Sequence, residues 1–235
     1  MTPTTPVAHV RWQTSYRIIP TRFPATPLFA GVAPPEDWED LDKLADLTSP
    51  RAAQTQDRFG LFPKDELARG EGADLVMAAF TYLNPEGSRF SDGSYGVYYA
   101  GRKIETAIRE TVYHRRRFWL HSHLPALRFP MKVLEARIDG KLHDLRGKLP
   151  DRKILDPDDY SVSKRFALQL KAQDKSAGIV FPSVRDAGGE CVAAFVPRVV
   201  SQCRRTQLLD YIWDGAGEVT VVKMDVMSVL KGGAH

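Results

Sequence analysis

The stretch SRFSDGSYGVYYAGRKIETAIRETVY, Ser88–Tyr113, passes from a glycine-punctuated loop to a strand pattern to a helix pattern. The loop carries Arg89. A short strand over Gly96 to Ala100 carries Tyr98 and Tyr99. A helix beginning near Arg102 places Ile104, Ala107, Ile108, Thr111 and Val112 on one face at helical spacing. Thr106 and Glu110 are four apart and share a different face, with Tyr113 beside Glu110. Three consecutive elements thus deliver an arginine, an aromatic ring and a carboxylate. That set suits an anionic, ring-containing substrate. Strand alternation lets only one of Tyr98 and Tyr99 face such a site.

On the N-terminal side, residues 1–9 are Thr/Pro-rich and read as a loose tail. Val10 to Ile19 alternates as a strand containing Arg17. Pro20, Pro24 and Pro27 enforce an extended crossing, and Pro35 to Leu47 is patterned as a short amphipathic helix. Thr48 to Gly72 reads as irregular, with one helical turn near Lys64 to Ala68. Ala73 to Tyr82 fits helix or strand equally well. On the C-terminal side, Met131 to Asp139 alternates as a half-buried strand, and Asp139-Gly140 reads as a turn towards Lys141 to Leu145. A helix follows over about Ser161 to Asp174. Further strands are expected at Gly178 to Phe181, Cys191 to Val196, Leu208 to Trp213 and Glu218 to Val226. Strands outnumber helices and do not alternate with them regularly. The pattern predicts an α+β fold with antiparallel sheet, not a doubly wound one.

The 235 residues are 43% hydrophobic and 26% charged, which is globular composition for one domain over 10–235. No apolar run approaches the roughly 18 residues that span a bilayer, and the start lacks a signal-peptide pattern. Cys191 and Cys203 form neither a CxxC nor a disulfide framework, which suits a reducing cytoplasm. The net charge of +4 is scattered apart from Arg115 to Arg117, which argues against direct nucleic-acid binding.

Gly93 and Gly96 complete neither GxGxxG nor GxxxxGK[ST], so Rossmann and Walker sites are not supported. Ser183 lacks a GxSxG context and reads first as a turn serine. His121 and His123 lack a third ligand, so no metal site is expected. Arg89 stands out because a guanidinium fork donates bidentate bonds to phosphate.

The order of motifs then matters: YRI at Tyr16 to Ile18, SRFSDGSYGVYYA, ETAIRE, GIVFPSVRDAGGECVAAF and a final strand pair. Over about residues 10–225 this resembles the RES family, named for an arginine, a glutamate and a serine. A longer region at about 30–80 is similar to a longer branch of that family. The resemblance implies a fold like that of ADP-ribosyltransferases: a split, mostly antiparallel β core with flanking helices. It implies NAD+ as substrate, no bound cofactor, and transfer of ADP-ribose to water, to inorganic phosphate or to a protein. It also implies a toxin role with a small DNA-binding antitoxin of the Xre type as partner. A homodimer is left open. By the same resemblance Glu110, Arg89 and Ser183 are the catalytic set. Arg17, Tyr99 (or its neighbour Tyr98) and Thr106 bind substrate. Glu110 would stabilise an oxocarbenium-like charge, Arg89 and Arg17 the pyrophosphate, and Ser183 a ribose or phosphate. The alternative is a catalytically silent module that binds NAD+ or ADP-ribose.

Overall fold

The computed structural model describes residues 5–21, 62–147, 149–174 and 176–224. The helix expected at Pro35 to Leu47 lies outside them, as do most of the 30–80 region and the end of the last strand. Among the described residues the elements run β1 (Val7–Pro20), α1 (Ala73–Thr81), β2 (Tyr98–Gly101), α2 (Ile104–His121), β3 (Leu127–Asp144), α3 (Ser161–Asp174), β4 (Gly178–Pro182), β5 (Glu190–Ala194), β6 (Val200–Trp213) and β7 (Val219–Met224). The strand order is β1-β2-β5-β4-β3-β6-β7, with β1 also paired to β3. Five strands, β1-β2-β5-β4-β3, therefore close a ring, and β6 and β7 extend from it. All pairings are antiparallel except β3 with β4. The fold is the expected α+β class, with a split, mostly antiparallel core flanked by helices.

The split is made by β3. One of its edges carries β1 from Met131 to His143. The other carries β6 from Leu127 to Ile138 and then β4 at His143 and Asp144. The chain does not turn at Asp139-Gly140, contrary to the sequence expectation. Asp139 pairs with Arg11 and Gly140 with Val10, so the ladder to β1 continues straight through. Gly140 is there for close approach: a Cβ on it would lie 3.1 Å from Val199 Cγ2. Long pairing to β1 overrides the local turn signal. β1 itself begins at Val7, inside the stretch read as a tail.

The ambiguous stretch at Ala73 is helix α1. Val76, Met77 and Phe80 are buried at helical spacing. Val76 and Phe80 share a core with Trp12, Tyr98, Leu134 and Cys203. A second core lies beneath α3, around Phe90, Phe166, Ala167 and Phe181. The third sits under α2. There Ile104, Ala107, Ile108 and Val112 pack towards Trp119, Val133, Tyr211 and Trp213. Ile104, Ile108 and Val112 are half-buried, so each contributes part of the roughly 1.5–3 kcal/mol that full burial of such a side chain gives, and together they fix the rotation of α2. Gly101 lets α2 start close to the sheet. A Cβ there would stand 2.8 Å from the backbone nitrogen of Ala107 and 3.0 Å from Lys103 O. No helix among the described residues is long and apolar enough to cross a membrane.

Candidate active site

A cleft of about 900 Å³ opens between the sheet, α2 and two loops. Its floor is Tyr16 to Ile18 of β1, Tyr99 to Gly101 of β2, Phe181 of β4 and Cys191 of β5. One wall is α2, through Glu110, His114 and Arg117. The opposite wall is the 84–89 loop with Arg89 and the segment Asp158 to Lys164. The size lies in the upper range for small-molecule sites.

Arg17, Arg89, Tyr99 and Glu110 all line this cleft, although up to 93 residues of sequence separate them (17 to 110). Ser183 stands beside it and donates its hydroxyl proton to Glu110 Oε1 at 2.6 Å. Tyr98 is fully buried in the core on the other side of β2. Strand alternation therefore assigns the cleft to Tyr99. Thr106 is also fully buried and does not line the cleft. Its hydroxyl donates to Asp186 Oδ2 at 2.6 Å.

The glutamate wall is a closed hydrogen-bond set. Ser183 follows β4 and opens the loop to β5. Its Oγ accepts the backbone N–H of Arg185 at 3.1 Å and of Asp186 at 3.0 Å. A hydroxyl has one proton and two acceptor lone pairs, so Ser183 is saturated. Ser183 N–H donates to Gly189 O, and Gly189 N–H to Asp186 O. The Asp186 carboxylate is shared between Thr106 and Arg109 Nε, the latter at 3.2 Å. A Cβ at Gly189 would fall 2.7 Å from Asp186 Oδ2 and 2.8 Å from Thr106 Oγ1, so glycine is required there. Loop 183–189 is thus tied to α2 one turn before Glu110. Sequence spacing placed Thr106 on the Glu110 face but held no signal for Asp186, its partner 80 residues away.

The opposite wall is built from longer reaches. Arg89 Nη1 donates to Asp156 O at 2.6 Å, and its guanidinium lies 4.3 Å from the centre of the Tyr160 ring. Tyr99 fixes the loop that carries it. The Tyr99 hydroxyl accepts from Phe90 N–H at 2.9 Å and shares a 2.8 Å bond with Ser88 Oγ. Burial pushes the Tyr99 phenol up to about 12, against the pull of those two bonds and of Arg89. The hydroxyl is therefore neutral and able to hold both partners. Arg17 donates Nη1 to Tyr99 O at 3.2 Å and stacks over the Tyr98 ring at 5.0 Å. Tyr98 thus acts behind the site, under Arg17. Burial lowers the Arg17 pKa, yet a guanidinium starting above 12 remains charged.

On the floor, burial first and the nearby Glu110 second push the Cys191 thiol far up, so it is no nucleophile. The outer edge of His114 reaches solvent, but desolvation of its ring and the charges of Arg185, Arg89, Arg117 and Arg115 hold its imidazole well below its usual value. That imidazole is neutral at pH 7. His121, the last residue of α2, and His123 just after it lie on the surface. No group of three His, Cys, Asp or Glu among the described residues is placed to hold a metal.

The arrangement offers one oriented carboxylate, several fixed guanidinium groups and aromatic rings around one cavity. That is equipment for stabilising a developing cation beside bound phosphates. The chain is similar to the "Uncharacterized protein y4oC" of Sinorhizobium fredii (strain NBRC 101917 / NGR234). The two are 26% identical over 200 residues, which cover 85% of this chain and 83% of that protein. Among solved structures it is similar to the crystal structure of the M. tuberculosis MbcT-MbcA toxin-antitoxin complex. That likeness has 11% identity and a TM-score of 0.41, and covers 87% of this chain and 86% of that one. Residues 66–214, well over half of the chain, match the family model described as the RES domain. That span contains Arg89, Glu110 and Ser183, and the chain belongs to the RES domain family.

Proposed function

We propose that the protein consumes NAD+ by breaking the bond between nicotinamide and ribose. The observation that carries this reading is the Glu110 carboxylate, oriented by a saturated Ser183 and facing a cleft whose floor holds Arg17 and Tyr99 and whose opposite wall holds Arg89. Nicotinamide in NAD+ is already cationic, so it departs as a neutral base and takes the bonding pair with it. No acid is needed on the leaving group. Positive charge then develops on the ribose, as in glycoside cleavage. Glu110 is placed to stabilise that charge and to accept a ribose hydroxyl through the oxygen that Ser183 leaves open. Arg89 and Arg17 hold the pyrophosphate. Tyr99 closes the floor and sets the loop of Arg89. Ser183 serves the glutamate and does not contact substrate directly; its hydroxyl has no capacity left. Thr106, buried behind the cleft and donating to Asp186, takes a positioning role.

The fold class and family membership support an ADP-ribosyltransferase-like reaction. The acceptor is water, inorganic phosphate or a protein side chain. We read the protein as the toxin of a cytoplasmic toxin–antitoxin pair whose partner is an Xre-type DNA-binding antitoxin. The test is NAD+ loss on incubation with purified protein, with and without inorganic phosphate, followed by separation of products. Nicotinamide with ADP-ribose means hydrolysis. A phosphate-dependent ADP-ribose 1″-phosphate means phosphorolysis. ADP-ribose attached to protein means transfer. Unchanged NAD+ with and without phosphate, together with tight NAD+ binding, returns the silent binding module. Induction alone should halt growth and lower cellular NAD+, and co-expression with the neighbouring antitoxin gene should restore both.

A further inference from the structure

Arg185 lies in the same loop as Ser183, but none of its side chain is used by the glutamate wall. Its side chain is 15% exposed, and its guanidinium stacks 3.3 Å from the centre of the Tyr113 ring. Nε is buried and has no hydrogen-bond partner. Nη2 donates to Pro157 O and makes an ion pair with Asp158 Oδ1 at 3.5 Å. A planar fork built for two parallel bonds is thus answered by one carbonyl and one off-centre carboxylate. Asp158 itself is exposed and lines the cleft. Its carboxylate also accepts the Tyr113 hydroxyl and lies 3.8 Å from Arg117 Nη1. One surface carboxylate therefore sits among two guanidinium groups and a phenol at the cleft mouth. Desolvation first, and the same crowd of positive charge second, lower the basicity of nearby His114.

We propose that Arg185, Arg117 and the Tyr113 hydroxyl form a phosphate-binding subsite at the cleft mouth, and that the Asp158 carboxylate fills it until a phosphoryl group displaces it. Three donors around one acceptor match a tetrahedral oxyanion better than they match a carboxylate. The phosphoryl group belongs either to the dinucleotide or to free inorganic phosphate; that choice rests on the NAD+ reading, while the subsite does not. The segment that Asp158 belongs to is gripped at Asp156 O by Arg89 and at Pro157 O by Arg185, so displacement loosens it from both arginines.

Calorimetric titration of the full chain with inorganic phosphate and, separately, with ADP at fixed ionic strength tests this. Asp158→Ala should bind at least one of the two about tenfold tighter than wild type, since a competing internal anion is gone. Adding Arg117→Gln to Asp158→Ala should return most of that gain. Both positions are exposed, so both variants should fold. A gain for ADP alone places the subsite on the dinucleotide; a gain for phosphate as well makes it a free phosphate site. No gain for either anion, or a gain untouched by Arg117→Gln, overturns the proposal. NAD+ loss is followed in parallel. Tighter anion binding without NAD+ turnover keeps the subsite and rejects the enzymatic reading; turnover with no binding gain does the reverse.

Discussion

The two walls of the cleft are built on opposite plans. On the Glu110 wall each hydrogen-bonding group of Ser183 is spent: two backbone N–H groups enter its oxygen and one proton leaves to Glu110. Asp186 ties that loop to Thr106 and Arg109 of α2. On the arginine wall, Arg89 reaches across 67 residues of sequence to a single backbone carbonyl, and where the Ser183 loop meets that wall Arg185 is left with a buried Nε unanswered. The Glu110 carboxylate is held by a closed set of short bonds, whereas Arg89 and Arg185 sit on loops, and Arg185 keeps a donor in reserve. A charge-stabilising group must not reorganise during reaction, whereas a binding group needs open donors for its ligand.

The sharpest way to break this comparison is Glu110→Gln. NAD+ consumption should fall on the order of 10²–10³-fold or more, while thermal unfolding stays near wild type. Turnover near wild type would remove Glu110 from the chemistry. Next comes Ser183→Ala, which frees the carboxylate and strands two N–H groups. Turnover should drop roughly 10–100-fold with little change in KM, and stability should fall by about 1–3 kcal/mol. A rise in KM at constant kcat would instead make Ser183 a substrate contact. Arg89→Lys keeps the charge and loses the fork. Its main effect should be on KM, about tenfold, measured by initial rates. A loss confined to kcat would move Arg89 to the other side of the comparison.

The smallest effects test neighbours on one strand. Tyr99→Phe removes the acceptor of Phe90 N–H and the partner of Ser88. Chemical denaturation should show a loss of about 1–3 kcal/mol, with weakened substrate binding because the Arg89 loop is released. Tyr98→Phe should be nearly neutral. The Tyr98 hydroxyl is buried, its hydrogen-bonding neighbour among the described residues is the weak Cys203 sulfur, and removing an ill-satisfied polar group costs little. Equal losses in the two variants would contradict the placement of Tyr99 alone at the cleft.

Much of the scaffold was legible along the chain. The apolar stripe of α2 at Ile104, Ala107, Ile108 and Val112 has a 3.6-residue period, and such a stripe needs no knowledge of its partner. The alternation in β1 and β3 is likewise local. The turn at Asp139-Gly140 was misread for the complementary reason. Asp-Gly favours a hairpin when nothing competes, and here the pairing of Arg11 and Val10 competes and prevails. Ala73 to Tyr82 could not be resolved locally, because a short apolar run buried on one side satisfies either period.

The sequence by itself determined the class of the fold, the helix face that carries Glu110, and which residue types stand in RES order. These follow from periodicity, spacing and side-chain chemistry, all properties of neighbours along the chain. Only the tertiary structure decided that Tyr99 and not Tyr98 faces the cleft, that Ser183 is consumed by Glu110 and its own loop, and that Asp186 and Arg185 matter at all. Those facts depend on contacts that close only in the folded chain, among them the bonds of Ser183 to Glu110 and Thr106 to Asp186, each spanning more than 70 residues. A hydroxyl's role is set by which lone pairs are already taken, and that is known only when the loop around it has closed.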